Sequence, residues 1–330
     1  MQKIQATQIN WGIIGVGDVC EVKSAPAMNL IENSQLLAVM RRNGALAKDY
    51  AQRHYVPKWY DDADALIADP DINAIYIATP PDAHMPMVLK AAAAGKAVYV
   101  EKPMARNHAE CLNMIEHCQQ TNVPLYVAYY RRCLPHFVKV KSIIEEGIIG
   151  DVRHVNIRLN QSVAPQLLEN MDNHWRVNAA ISGGGYFHDL ASHQLDFLDY
   201  ALGPIQQAQG IITNQAGHYQ APDMVSASFQ FESGVIGTGS WCFNSGTSAQ
   251  CDITEIIGSK GRLQYPSFGA GEVHLETDTQ GKQLLEFPLP KHIQQPLIQT
   301  IVDDLLGQGT CPSSGISAAR TNWVMEQICG

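Results

Sequence analysis

The chain has 330 residues, 45% of them apolar and 17% charged, which excludes a disordered or collagen-like polypeptide and is enough for about two domains. Lys plus Arg number 23 against 32 Asp plus Glu, a formal charge of −9. That balance argues against sequence-independent attraction to nucleic-acid phosphates and against an anionic membrane surface. No apolar run approaches the roughly 20 residues of a membrane helix, and residues 1–8 lack the apolar core of a signal peptide, so a cytoplasmic protein is expected. The cysteines, Cys20, Cys111, Cys118, Cys133, Cys242, Cys251, Cys311 and Cys329, include no CxxC pair and read as reduced, partly buried thiols.

In chain order, residues 9–14 read as a strand, 19–33 as a helix, 35–40 as a strand and 44–55 as a helix. Residues 74–78 follow as a strand, 82–94 as a helix that Asp82 can cap, 97–100 as a strand, 107–121 as a helix and 124–128 as a strand. Such alternation is the sequence form of an α/β fold, a doubly wound parallel sheet covered by helices. Residues 134–146 read as a connecting helix ended by Gly147. The texture then becomes strand-dominated, with runs at 152–159, 205–213, 224–231, 235–243, 253–257 and 284–287 in a largely antiparallel sheet. Helices are expected at 185–201, 296–306 and 316–329.

Gly15-Val16-Gly17-Asp18-Val19-Cys20 lies between the first strand and the first helix. Gly15 permits a tight turn, Gly17 lets backbone approach a pyrophosphate, and Asp18 and Val19 open the helix. Cys20 takes the third position, usually Gly or Ala. The second strand ends in Arg41 and Arg42, where a carboxylate would select NAD; a basic residue there suits a 2′-phosphate, although either arginine can instead lie over adenine or point to solvent. Glu101-Lys102-Pro103 ends a strand of the parallel sheet, where such sheets place ligands, and Thr79-Pro80-Pro81-Asp82-Ala83-His84 ends the strand before it. Alone, each also suits an ordinary strand exit. Gly183-Gly184-Gly185 leads into a helix on which Asp189 and His193, four apart, share a face, so the carboxylate can orient the imidazole. His174 and His188 complete no convincing metal spacing, and no metal is expected.

With Tyr129-Tyr130-Arg131-Arg132 and Trp175-Arg176, these motifs in this order resemble the Gfo/Idh/MocA family of NAD(P)-dependent oxidoreductases over most of the chain. The resemblance implies a Rossmann dinucleotide-binding domain at 1–128 and, at 129–330, an α/β substrate-binding and oligomerisation domain with a large, open, mainly antiparallel sheet, the active site lying in the cleft between them. It places Lys102, Asp189 and His193 at catalytic positions, and Gly15, Gly17, Thr79, Pro80, His84 and Glu101 at the dinucleotide, to which Asp18, Val19, Arg41 and Arg42 are added. Tyr130, Arg131, Trp175 and Arg176 are expected to contact substrate.

The expected reaction moves a hydride between a nicotinamide cofactor and a polyhydroxylated, sugar-like alcohol or its keto form, with NADP(H) preferred and NAD(H) possible. A non-catalytic NAD(P)-binding regulator and a metal-dependent hydrolase or lyase are the alternatives. The exposed sheet face is expected to be covered by another subunit, giving a homodimer or larger assembly. Helix 316–329 is expected to pack back on the first domain through Ile316, Ala319, Trp323 and Val324.

Overall fold

The computed structural model describes residues 7–163 and 174–330, so residues 1–6, where the first domain was expected to begin and the N-terminal stretch was read, lie outside the described residues. Backbone contacts divide the chain into two compact units, Met1–Tyr130 with Pro290–Ala319, and Arg131–Leu289 with Arg320–Gly330.

The first unit is built on β1 (Ile9–Ile14), β2 (Ser34–Met40), β3 (Lys58–Tyr60), β4 (Ala74–Ile77), β5 (Ala97–Val100) and β6 (Leu125–Val127). All pair in parallel, in the order β3-β2-β1-β4-β5-β6. Every residue of β4 and β5 is buried, as strands covered by helices on both faces must be, and hence their unbroken apolar runs. Strand order reverses between β1 and β4, which makes the carboxyl ends of those strands the natural place for a ligand.

Two local expectations are corrected. The stretch read as one helix over 19–33 forms two short helices, Asp18–Val22 and Ala25–Met28, because Pro26 has no N–H to continue the first. Asp82 does not cap the next helix: it lies inside a 3₁₀ turn, Pro81–Ala83, and the helix His84–Ala93 starts after it. Asn43 and Asn107 do cap their helices, each accepting backbone N–H groups through its side chain.

The second unit carries β7 (Val152–Asn160), β8 (Ile205–Thr213), β9 (Met224–Phe231), β10 (Ile236–Cys242), β11 (Cys251–Gly258), β12 (Gly261–Tyr265), β13 (Glu272–Thr277) and β14 (Gly281–Glu286). They form one sheet in the order β14-β13-β12-β11-β7-β10-β9-β8, antiparallel except for the β7–β10 pair. Alternation along the strands sorts the faces. Val155, Ile157, Leu159, Phe229, Trp241, Ile256 and Leu263 are buried. Phe137 of helix Pro135–Glu145, Phe197 of helix Ser192–Leu202 and Tyr265 meet edge to face on that side, with ring centres 4.6 to 6.0 Å apart. The opposite face is mixed: Thr238, Asn156, Glu255, Gln264 and His274 stand in one cross-strand row, none of them buried, and Leu284 continues that row while Ile236, Ile253 and Ile257 flank it.

The terminal helix, Gly315–Cys329, contributes only its first turn to the first unit. Ile316 is 54% exposed and takes no part in the buried face, which is formed by Ala318, Ala319, Thr321, Val324, Met325 and Ile328. Past Ala319, polar pairs decide the partner: the Arg320 guanidinium binds the Asp199 carboxylate at 2.9 Å and the Thr321 hydroxyl donates to Asp196 at 3.3 Å, both within the second unit. No helix among the described residues is long and apolar enough to cross a membrane.

Candidate active site

In the first unit the site is a rim of strand ends. Gly15 has a φ of +92°, and a Cβ there would lie 2.7 Å from Thr79 Cγ2 and 3.1 Å from Thr79 N, so the turns after β1 and β4 touch only because residue 15 lacks a side chain. Gly17 differs. A Cβ on it would meet nothing nearer than the Gly15 oxygen at 3.9 Å, so its backbone borders open space. Asp18 and Val19 open the five-residue helix Asp18–Val22, with Cys20 fully buried behind them. Burial pushes the Cys20 thiol up to about 12, which makes it a small packing group and not a nucleophile.

Arg41 and Arg42 are exposed just past β2, and among the described residues neither enters an ion pair. Past β4, Thr79 and Pro80 are half-buried, and Thr79 Oγ1 is a buried atom with no hydrogen-bond partner among the described residues. His84 is fully buried, its Nε2 lying 2.8 Å from the Thr79 carbonyl and its Nδ1 3.2 Å from the carbonyls of Pro103 and Met104. Its imidazole therefore braces the turn after β4 against the turn after β5, and burial lowers its pKa.

Past β5, Lys102 is half-buried and its bond to Pro103 is cis. Glu101 is 8% exposed. Its Oε1 accepts from the Tyr76 hydroxyl at 2.5 Å and from Gln294 Nε2 at 2.7 Å, and its Oε2 from the Lys102 N–H at 3.1 Å. Gln294 has no sequence signal near it, and its partnership with Glu101 is visible only in the fold.

In the second unit the three glycines have distinct jobs. Gly183 and Gly185 adopt φ of +89° and +73°, while a Cβ on Gly184 would fall 2.0 Å from His188 Nδ1. The chain then enters a π-helical turn, Phe187–Ala191, that runs into helix Ser192–Leu202. Asp189 sits in the wide turn, and its Oδ2 accepts from Arg176 Nε at 3.2 Å, with the Arg176 guanidinium 4.4 Å from the Trp175 ring centre. Trp175, Arg176 and Asp189 are thus one linked group.

His193 is 3% exposed and meets Phe268 edge-on at 6.0 Å. Arg131 is also buried, with Nε on the Ser267 carbonyl at 2.8 Å and its guanidinium 4.5 Å from the same Phe268 ring centre. Phe268 N–H in turn binds Asp252 Oδ2 at 2.5 Å. Phe268 and Asp252 were not foreseen, since the turn between β12 and β13 carries Phe268 to His193 and sheet register places Asp252, at the start of β11, beneath it. Tyr130, counted with the first unit, is buried at the start of a 3₁₀ turn. Arg132 makes a two-point pair with Asp196, both side chains 1% exposed. Burial lowers the pKa of His188 to about 4.

Residues 9–129 match the oxidoreductase family described by its NAD-binding Rossmann fold, and residues 137–264 match the GFO/IDH/MocA C-terminal domain. The chain is 39% identical over 330 residues to Oxidoreductase P35 of Formosa agariphila, covering 98% of this chain and 99% of that one. It is 28% identical to the trans-1,2-dihydrobenzene-1,2-diol dehydrogenase of Bos taurus, covering 86% of this chain and 80% of that one. A levoglucosan dehydrogenase solved with NADH and levoglucosan shares the fold, with a TM-score of 0.88 at 21% identity over 98% of this chain and 96% of that one.

Proposed function

The chain belongs to the Gfo/Idh/MocA family of NAD(P)-dependent oxidoreductases, and from that premise we propose that it moves a hydride between a nicotinamide cofactor and a polyhydroxylated, sugar-like alcohol or its keto form. The observation that carries this reading is Lys102: a half-buried lysine at the carboxyl end of β5, in the same rim as Gly15, Gly17 and Thr79. The rim fits a dinucleotide, because Gly17 leaves its backbone open and Thr79 Oγ1 is a buried polar atom awaiting a partner.

Held at the Gly15, Gly17 and Thr79 rim, a nicotinamide dinucleotide would supply hydride chemistry there. Lys102 donates to the substrate oxygen and stabilises the alkoxide as it forms. His193 gives that oxygen its proton in reduction and removes it in oxidation. Asp189, held by Arg176, orients the imidazole and offsets its charged form. Trp175 and Arg176 offer an aromatic wall and donors for hydroxyl groups, and Tyr130 and Arg131 are the further candidates for substrate contact. The bovine relative's name describes a ring with two adjacent hydroxyls, which supports a diol or polyol substrate.

The exposed arginines past β2, Arg41 and Arg42, support a preference for NADP(H) over NAD(H). The open face of the eight-stranded sheet, where exposed Ile236 and Leu284 stand among polar groups, supports a homodimer or larger assembly. The eight cysteines are all free thiols, as suits the cytoplasm. The deciding experiment assays sugars, inositols and deoxy-keto sugars against simple aliphatic and aromatic alcohols with either cofactor. Turnover confined to the simple alcohols would overturn the substrate class.

A further inference from the structure

The carboxylate of Glu101 is held by a residue 193 positions away, Gln294, which is fully buried at the start of helix Gln295–Leu305. We propose that Gln294 is a positioning residue for the reaction: acting through Glu101, it sets where the Lys102 side chain begins. This rests on the reading of Lys102 as the group that meets the substrate oxygen.

The direction of every proton in the network follows from chemistry. Gln294 turns its amide N–H to Glu101, whose Oε1 accepts it at 2.7 Å. Its carbonyl end then faces Tyr99, whose hydroxyl must donate, and does so at 2.7 Å. Tyr76 and Tyr99 are register neighbours on β4 and β5 with rings stacked at 4.7 Å, and burial keeps the Tyr76 phenol protonated as the second donor to Glu101 Oε1. Glu101 Oε2 meanwhile accepts the N–H of Lys102 itself, so the carboxylate that Gln294 orients is bonded to the first peptide of the lysine.

The same short segment reaches the other end of the rim. The Gln294 N–H donates to the Lys23 carbonyl at 3.1 Å, and His292 Nδ1 bonds the Val22 carbonyl, where the helix that follows Gly17 ends. An apolar side chain at position 294 would fill the space as well. What it would not do is fix an orientation, which a network with one allowed place for each proton does.

Gln294→Glu keeps the shape and sets a second carboxyl against Glu101 Oε1. Two carboxyls at that distance share one proton and lose it at raised pH, after which they repel. The other titratable groups that sense this pair are the Tyr76 and Tyr99 hydroxyls, the Cys20 thiol, the His84 imidazole and the neighbouring Lys102. The full-length enzyme is assayed with the best substrate of the panel above, and NADPH binding is followed by nicotinamide fluorescence. The expected variant has kcat within about threefold of wild type near about pH 6 and at least about tenfold below it near about pH 8.5, with NADPH affinity little changed. Tyr99→Phe, which frees the amide to turn and leaves the buried Gln294 carbonyl without its donor, should lower kcat about threefold along with the melting temperature.

A Gln294→Glu enzyme that follows the wild-type pH profile overturns the proposal, as does one in which only the melting temperature moves. Lys102→Ala, run in parallel, separates the two claims. If it stays active, the reading of Lys102 fails; if it is inactive while Gln294→Glu tracks wild type, only the role of Gln294 fails.

Discussion

The two units make their proposed functional surfaces from different materials. In the first, parallel strands end side by side and the rim is mostly backbone: the Gly15 turn, the open Gly17 and the turn after β4. In the second, the proposed working groups are side chains placed by partners distant in the chain: Asp189 accepts from Arg176, the Arg131 guanidinium lies against the Phe268 ring, and Asp252 accepts the Phe268 backbone N–H. A backbone surface depends on which residues lack side chains, and that is written locally. A side-chain surface depends on partners that folding brings together.

The largest test of this contrast is catalytic. Lys102→Ala and His193→Ala should each lower kcat by roughly 10²- to 10⁴-fold, the scale of a positioned acid–base group, while NADPH affinity changes little. Lys102→Arg keeps the charge but replaces a compact donor with a planar fork. Full activity in that variant would mean that only the charge at 102 matters, and full activity in His193→Ala would remove the proposed proton carrier.

Glycine replacements should separate the units by the kind of damage. Gly184→Ala forces a methyl onto the His188 ring, which should cost roughly 1–3 kcal/mol of stability in urea unfolding. Gly17→Ala meets no such obstacle and should leave stability within about 0.5 kcal/mol, yet weaken NADPH binding because the methyl occupies open surface meant for the ligand. Equal stability losses in the two variants would erase the distinction.

A third, smaller effect concerns cofactor choice. Arg41→Ala should weaken NADPH binding about tenfold, the loss of one charge-assisted bond, and NADH binding much less. Equal weakening of both, measured by fluorescence titration, would take the 2′-phosphate away from this side chain.

The smallest is a pH effect on the second unit. Burial holds His188 and His136 at about 4, below the ordinary imidazole value, so both stay neutral in the fold while the unfolded chain binds protons below about pH 6.5. Stability should therefore rise with pH between about 4 and 6.5. A flat urea midpoint across that window would show that these rings are hydrated.

The sequence by itself determined the strand–turn–helix texture of the first unit, the Gly15–Gly17 turn, the arginines past β2 and the lysine past β5, because each depends on neighbours a few residues away. Short or polar elements were not legible: β3 is three residues long, and β12 and β13 carry too few apolar positions to stand out. The spacing of Asp189 and His193 was legible, but not the π turn beneath it or the close approach of His188 to Gly184. Only the tertiary structure decided the pairs Arg176 with Asp189, Arg131 with the Ser267–Phe268 loop and Gln294 with Glu101, separated by 13, 136 and 193 residues for the bonds that join them. A hydrogen bond between distant residues leaves no periodicity in either stretch of chain, since its geometry is set by sheet register and helix placement and not by local spacing.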